Sequence, residues 1–157
     1  MSSFRRVRVR PMVAEDLDRA MEIAQSLKDA PQWWRAIYLA ALDPTATVRR
    51  IAMAAVDPQT ARVTGFLVAS VLPPEAELEM IAVATEAQRT GTGRQLMATL
   101  VEALRSQGVS EAILEVRASN QAALGLYRTL GWCETGRRPR YYADPEEDAV
   151  LMQLQIG

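Results

Sequence analysis

The chain contains no histidine and a single cysteine, Cys133, in 157 residues. The first absence removes the commonest general base and the commonest metal ligand. The second rules out an intramolecular disulfide and any zinc site built from several cysteines. No metal is expected, and proton transfer falls to carboxylates, tyrosine, cysteine, lysine, water or backbone. With no imidazole to activate it, Cys133 reads as an ordinary packed residue, since cysteine is among the most buried types. Long hydrophobic runs are also missing: Ala36 to Leu42 is among the longest, far short of a membrane span. The N-terminal MSSFRRVRVRPM is charged and lacks an apolar leader region, so the chain is expected in the cytoplasm. A formal net charge of -1 provides no electrostatic footprint for nucleic acid or for a membrane surface.

What remains is an ordinary globular composition, with 49% hydrophobic and 24% charged residues, on a chain long enough for one substantial core. One domain over residues 1–157 is expected. No repeat, linker or low-complexity stretch interrupts it.

The informative stretch is IAVATEAQRTGTGRQLMATL, Ile81 to Leu100. Alternating apolar residues through Leu78, Met80 and on to Val83 predict a strand, and Leu96, Leu100, Val101 and Leu104 carry the period of a helix. The loop between them, Gln88-Arg89-Thr90-Gly91-Thr92-Gly93, places two glycines where the helix begins. Backbone can turn tightly there and approach a ligand, while the first N–H groups of the helix lack partners. Arg89 and Arg94 add positive charge, so a bound phosphate is expected. The loop lacks the Gly-Lys-Ser/Thr ending of a P-loop, and position 96 is leucine where a dinucleotide fingerprint needs a third glycine.

The rest of the chain supplies the frame. Val7 and Val9 alternate with arginines in a first strand closed by Pro11. Leu17, Ala20, Met21, Ala24 and Leu27 fall on one helical stripe, and Pro31 starts a second short helix with Trp33, Ile37, Ala41 and Leu42 inward. Strands are predicted at Arg50 to Val56, Arg62 to Val71 and Glu77 to Val83. The central helix runs from Gly93 to about Gly108, a strand follows at Ala112 to Val116, and a helix spans Asn120 to Leu130. A short strand at Trp132 to Thr135 and a last one through Val150, Met152, Leu154 and Ile156 complete the order βααβββαβαββ. That order is not the strict alternation of a doubly wound sheet; it predicts an α/β (α+β) domain with a mixed, mostly antiparallel sheet of about seven strands flanked by four helices. The right-handed crossover rule makes the strands flanking the central helix parallel neighbours, with the glycine loop at their carboxyl edge.

Two residues outside the loop stand out. Glu115 interrupts the apolar strand Ala112-Ile113-Leu114-Glu115-Val116, where a carboxylate must be paired, at a cleft, or desolvated; Arg117 is the ion-pair partner that the strand spacing offers. Tyr127 lies seven residues after Asn120, on one face of the same helix. Asn120 is also a good helix cap, and a tyrosine near a helix end is commonly core.

The strand–loop–helix with Gln-Arg-x-Gly-x-Gly resembles the acyl-CoA pyrophosphate loop of the GCN5-related N-acetyltransferase (GNAT) superfamily. LEVRASNQAALGLYRTLGW (Leu114 to Trp132) and GRRPRYYADPEEDAVLMQL (Gly136 to Leu154) resemble its RimI-like branch, which acetylates the N-terminal alanine of a ribosomal protein. The resemblance implies acetyl-CoA, Glu115 as general base and Tyr127 as general acid to the departing thiolate. It implies a coenzyme site made of Gln88, Arg89, Thr90, Gly91, Thr92, Gly93, Arg94, Asn120 and Tyr127, with the strand edge Ile81, Ala82 and Val83 pairing with pantetheine. Tyr141 and Tyr142 correspond to a stretch beside the acceptor groove, although Arg137, Arg138, Pro139 and Arg140 before them also read as a solvated loop with a turn. Trp33, in Pro-Gln-Trp-Trp, loosely matches an aromatic acceptor loop. Glu79 is the rival base, on the strand where other branches place theirs.

An α-amine with pKa about 7.8 is neutral in roughly one molecule in seven at pH 7, whereas a lysine with pKa about 10.4 is neutral in about one in 2,500. A carboxylate working through water is better matched to an N-terminus. The acceptor implied is a protein or peptide N-terminus; a lysine or small-molecule amine, and a non-catalytic CoA-binding module, are the alternatives. Monomer and dimer are both open.

Overall fold

A computed structural model describes residues 4–157. The strands are β1 (Arg8–Pro11), β2 (Arg50–Val56), β3 (Val63–Leu72), β4 (Glu75–Val83), β5 (Glu111–Arg117), β6 (Cys133–Tyr142) and β7 (Glu147–Gln155); the helices are α1 (Leu17–Ser26), α2 (Arg35–Leu42), α3 (Thr92–Ser106) and α4 (Gln121–Thr129). The strands form one sheet in the order β1-β2-β3-β4-β5-β7-β6. Every neighbouring pair is antiparallel except β4 and β5, which flank α3 and run parallel, as the crossover argument requires.

Helices cover both faces of the sheet, and the chain builds a core on each. On one face Leu96, Met97, Leu100 and Leu104 of α3, with Leu124 and Tyr127 of α4, pack on Leu67, Ala69 and Val71 of β3. On the other, Leu17, Ala20, Ile23 and Ala24 of α1 and Tyr38 of α2 pack on Phe66 and Val68. Strand β3 thus feeds alternate side chains to opposite cores and is buried almost throughout, which is why it reads as continuously apolar. Gly108 (φ +79°) and Gly131 (φ +97°) close α3 and α4 in the left-handed region that glycine tolerates.

Strand β4 departs from simple alternation. Val68 pairs with Met80 and Ala69 with Leu78, so Glu79 is an extra residue, a β-bulge. Before it Ala76 and Leu78 face the α3–α4 core; after it Met80 and Ala82 face the α1–α2 core. The expected alternation through Leu78 and Met80 therefore joins residues that point to opposite sides.

Three further expectations are corrected. Residues 136–142 are not a loop: β6 extends to Tyr142, carrying Pro139 on an edge strand that pairs only with β7, where a missing N–H costs nothing. In α2 the inward residue is Tyr38, not Ile37, which is 39% exposed. Cys133 is exposed, because buried Trp132 takes the inward position beside Tyr127.

Candidate active site

Strands β4 and β5 pair only at Glu75–Glu77 with Glu111–Ile113. Beyond that point they part, and a cleft of about 1100 Å³ opens between them. One wall is Leu78 to Val83, with the loop Gln88 to Arg94 at its end; the opposite wall is Leu114 to Arg117, then Asn120 and Tyr127, with Tyr142 beside them. Ile81, Ala82, Val83, Gln88, Arg89, Thr90, Gly91, Thr92, Gly93, Arg94, Asn120 and Tyr127 all line this one space, and so does Glu115.

The loop is shaped by its own side chains. Thr90 and Thr92 are buried, their hydroxyls 3.1 Å apart, and the Thr90 hydroxyl donates to the Ala87 carbonyl. With those side chains turned inward, the backbone is what faces the cleft. Arg89 (φ +63°) and Gly91 (φ +89°) adopt left-handed conformations, and Gly91 caps α3. Among the described residues, no backbone N–H from Arg89 to Arg94 donates to another group of the chain. A concavity of free N–H groups at a helix N-terminus is a site for an anion. Gly93 faces Val83 and Leu126 across the cleft floor.

At the far end the chemistry changes. Tyr127 is 6% exposed and tilted against Trp132, with ring centroids 6.0 Å apart. Burial first, and nearby Tyr142 second, push its phenol well above the ordinary tyrosine value, so it carries its proton throughout the neutral range. Glu115 pairs with Arg138 of β6 at 3.2 Å rather than with Arg117, which reaches Glu147 at 3.8 Å and lies 4.3 Å over the ring of Tyr142. Glu79, on the bulge, is held by Arg50 at 2.8 Å. The nearby Glu77 carboxyl is raised by burial, then by the negative charges of Glu79 and Glu115, and Arg138 opposes the rise. Three carboxylates on adjoining strands, with Arg50 and Arg138 paired to two of them, form a region suited to a cationic amine.

Asn120 caps α4 by accepting the Ala123 N–H at 3.2 Å, so its capping role coexists with a place on the cleft wall. Tyr142 lines the cleft; Tyr141 is 51% exposed and packs edge-on against it at 5.1 Å. Trp33 packs on Tyr38 at 5.3 Å, while the residues before it, Leu27 to Gln32, form part of the cleft wall. Sequence reasoning missed Arg138 as the partner of Glu115, because the pair joins strands far apart in the chain. It also missed Phe4 at the loop.

A mixed sheet parted between two parallel strands, with a bare helix N-terminus at one end of the gap and a carboxylate and a buried phenol at the other, is the architecture of an N-acetyltransferase. The model of the acetyltransferase (GNAT) family matches residues 11–132. The chain belongs to that family, and it is an N-acetyltransferase. It is 43% identical over 101 residues to the [ribosomal protein bS18]-alanine N-acetyltransferase of Escherichia coli (strain K12), covering 63% of this chain and 68% of the relative. It is 30% identical over 149 residues, 95% of each chain, to the putative [ribosomal protein bS18]-alanine N-acetyltransferase of Bacillus subtilis (strain 168). Among solved structures, the ribosomal-protein-S18-alanine N-acetyltransferase from Escherichia coli superposes with a TM-score of 0.78 at 32% identity, over 97% of this chain and 95% of that one.

Proposed function

We propose that this enzyme transfers the acetyl group of acetyl-CoA to the N-terminal α-amine of a protein, by direct attack while donor and acceptor are both bound. The observation that carries the reading is that the free N–H groups of Arg89 to Arg94 and the pair Glu115 and Tyr127 open into the same cleft. Residues 1–157 act as one acetyltransferase domain, working in the cytoplasm.

The residues fit such a donor. The loop N–H groups would hold its diphosphate, Gly93 leaves room above the cleft floor, and the unpaired edge of Ile81 to Val83 would bind its amide-containing arm. When bound, acetyl-CoA supplies an acetyl group already activated as a thioester. Glu115, paired with Arg138 at 3.2 Å, accepts the amine proton through water. Tyr127 Oη holds the proton that the departing sulfur needs, and its raised pKa keeps that proton in place until a thiolate forms. Tyr142 at the cleft, with Tyr141 packed on it, would contact the first residues of the acceptor, and Trp33, next in the chain to the cleft residue Gln32, is a further candidate contact. The bS18-alanine acetyltransferases among its relatives support an N-terminal acceptor of ribosomal origin.

The test is thiol release from acetyl-CoA with peptides that differ in their first residue, product being mapped by mass spectrometry. Acetylation confined to the α-amine is the expected result. Faster turnover of internal lysines or free amines would replace the acceptor class. Tight acetyl-CoA binding with no turnover on any amine, or full turnover retained by both Glu115→Gln and Tyr127→Phe, would overturn the catalytic reading.

A further inference from the structure

Residues 4–7, just before β1, are fastened to the glycine loop rather than left in solvent. Arg5 N–H donates to the Thr90 carbonyl at 2.8 Å. Gln95, in the first turn of α3, spends both ends of its amide on the same join. Its Oε1 accepts the Val7 N–H at 3.0 Å, and its Nε2 donates to the Arg5 carbonyl at 2.7 Å and the Gly91 carbonyl at 3.1 Å. This clamp sets Phe4 against Gly91 so closely that a Cβ on Gly91 would lie 2.8 Å from the Phe4 ring. Yet Phe4 is 67% exposed and lines the cleft.

A large aromatic ring held by backbone hydrogen bonds and left mostly bare is placed for something other than core packing. The other aromatic residues lining the cleft, Tyr127 and Tyr142, stand at the Glu115 end; Phe4 stands at the loop. On the reading proposed above, a donor whose thioester lies between Glu115 and Tyr127 and whose diphosphate lies on Arg89 to Arg94 must continue past the loop with its nucleoside. We infer that Phe4 is a stacking platform for the purine of the donor and that Gln95 is a positioning residue that holds the platform in place. A purine face laid on an exposed aromatic gains affinity without needing base-specific hydrogen bonds. The inference rests on the acetyl-CoA reading and adds a subsite to it.

The experiment compares CoA binding by calorimetry, and kcat/KM for acetyl-CoA and for S-acetylpantetheine, which has no nucleotide. The full chain is used with any tag at the C-terminus. Phe4→Ala is expected to raise the Kd for CoA roughly 5- to 10-fold, the lower end of what one stacked base implies. The acetyl-CoA to acetylpantetheine ratio of kcat/KM should fall by the same factor. Phe4→Trp should restore both. Gln95→Ala should reproduce the loss, and the double variant should add little to it. A Kd within twofold of the parent for Phe4→Ala, or an equal loss on both donors, overturns the inference while leaving the acetyl-CoA reading intact. Failure of the parent chain to bind CoA at all overturns both.

Discussion

The two loop glycines answer different structural demands, and exchanging each for alanine should separate them. Gly91 sits at φ +89°, where an alanine costs about 1–2 kcal/mol against the right-handed region. Its new Cβ would also meet the Phe4 ring at 2.8 Å. Phe4 is exposed and can move, so that collision releases the N-terminal segment more than it strains the core. Gly93, in contrast, lies inside the first turn of α3 and its φ is not positive. A Cβ there would stand 3.4 Å from Leu126 and 3.8 Å from Val83, which is ordinary contact, and alanine removes up to about 1 kcal/mol of glycine's entropic cost in a helix. Gly91→Ala should therefore be the less stable of the two by about 2 kcal/mol. At roughly 2–4 °C per kcal/mol for a domain of this size, that is a gap in Tm of about 4–8 °C. Denaturant unfolding of the unliganded proteins, read by tryptophan fluorescence, measures the difference, and calorimetry with CoA measures the consequence. Both should lose affinity, Gly91→Ala through the distorted loop and Gly93→Ala through the methyl group it adds where the donor's diphosphate must approach. Equal stabilities for the two variants would refute the assignment of left-handed geometry to one glycine and helical geometry to the other.

Other outcomes follow from the same structure. Glu115→Gln should lower kcat on an N-terminal peptide by about 10²–10⁴ at pH 7. Between pH 7 and 9 the variant should recover by about sevenfold as the free amine, with pKa about 7.8, loses its own proton; a pH–rate series in which the variant keeps the parent's rate at pH 7 would dismiss the base. Asp16 is 6% exposed, accepts from Arg10 at 2.8 and 2.9 Å and from the Val13 N–H at 2.9 Å, and its carboxyl is held below the ordinary range chiefly by the Arg10 hydrogen bonds. Because the folded value is the lower one, its contribution is complete above the unfolded pKa of about 3.9 and disappears as pH falls through the folded value. Asp16→Asn should cost about 1.5–3 kcal/mol at pH 7, by urea titration, and progressively less in acid. Tyr38, 1% exposed between Trp33 and Phe66, has a hydroxyl with no partner among the described residues. Tyr38→Phe should be neutral or stabilising by up to about 1 kcal/mol, and a clear loss of stability in the same titration would mean that the hydroxyl is satisfied.

The loop and the helix after it were legible because both depend on local chemistry: a glycine where φ must be positive, then an apolar stripe of period 3.6. The element order and the parallel pair around α3 followed from chain connectivity. Glu79 shows where such reading stops. A bulge is defined by what the partner strand does, and nothing in Glu77-Leu78-Glu79-Met80 announces that the faces exchange there. The far half of β6 was hidden for another reason. Its residues, Arg137 to Tyr141, lie on an outer edge and bury little, so they show none of the alternation that a half-buried strand displays. Tyr38 and Ile37 are neighbours of similar size and apolarity, and only the angle at which α2 meets the sheet decides which is inside. The clamp by Gln95 joins residues 88 and 90 positions apart through backbone groups, which leave no trace in side-chain pattern.

The parting of β4 from β5 has a consequence for how the protein survives in a crowded solution. A strand's free backbone groups are usually found at the outer border of a sheet, where any neighbouring chain can add to them and start a fibre. Here the free border from Leu78 to Val83 is sunk in the middle of the sheet, facing Leu114 to Arg117 across the gap. One slender extended molecule can thread into that slot, but a second sheet cannot follow it. The enzyme can thus keep hydrogen-bonding capacity in reserve for a guest without offering it to its own copies.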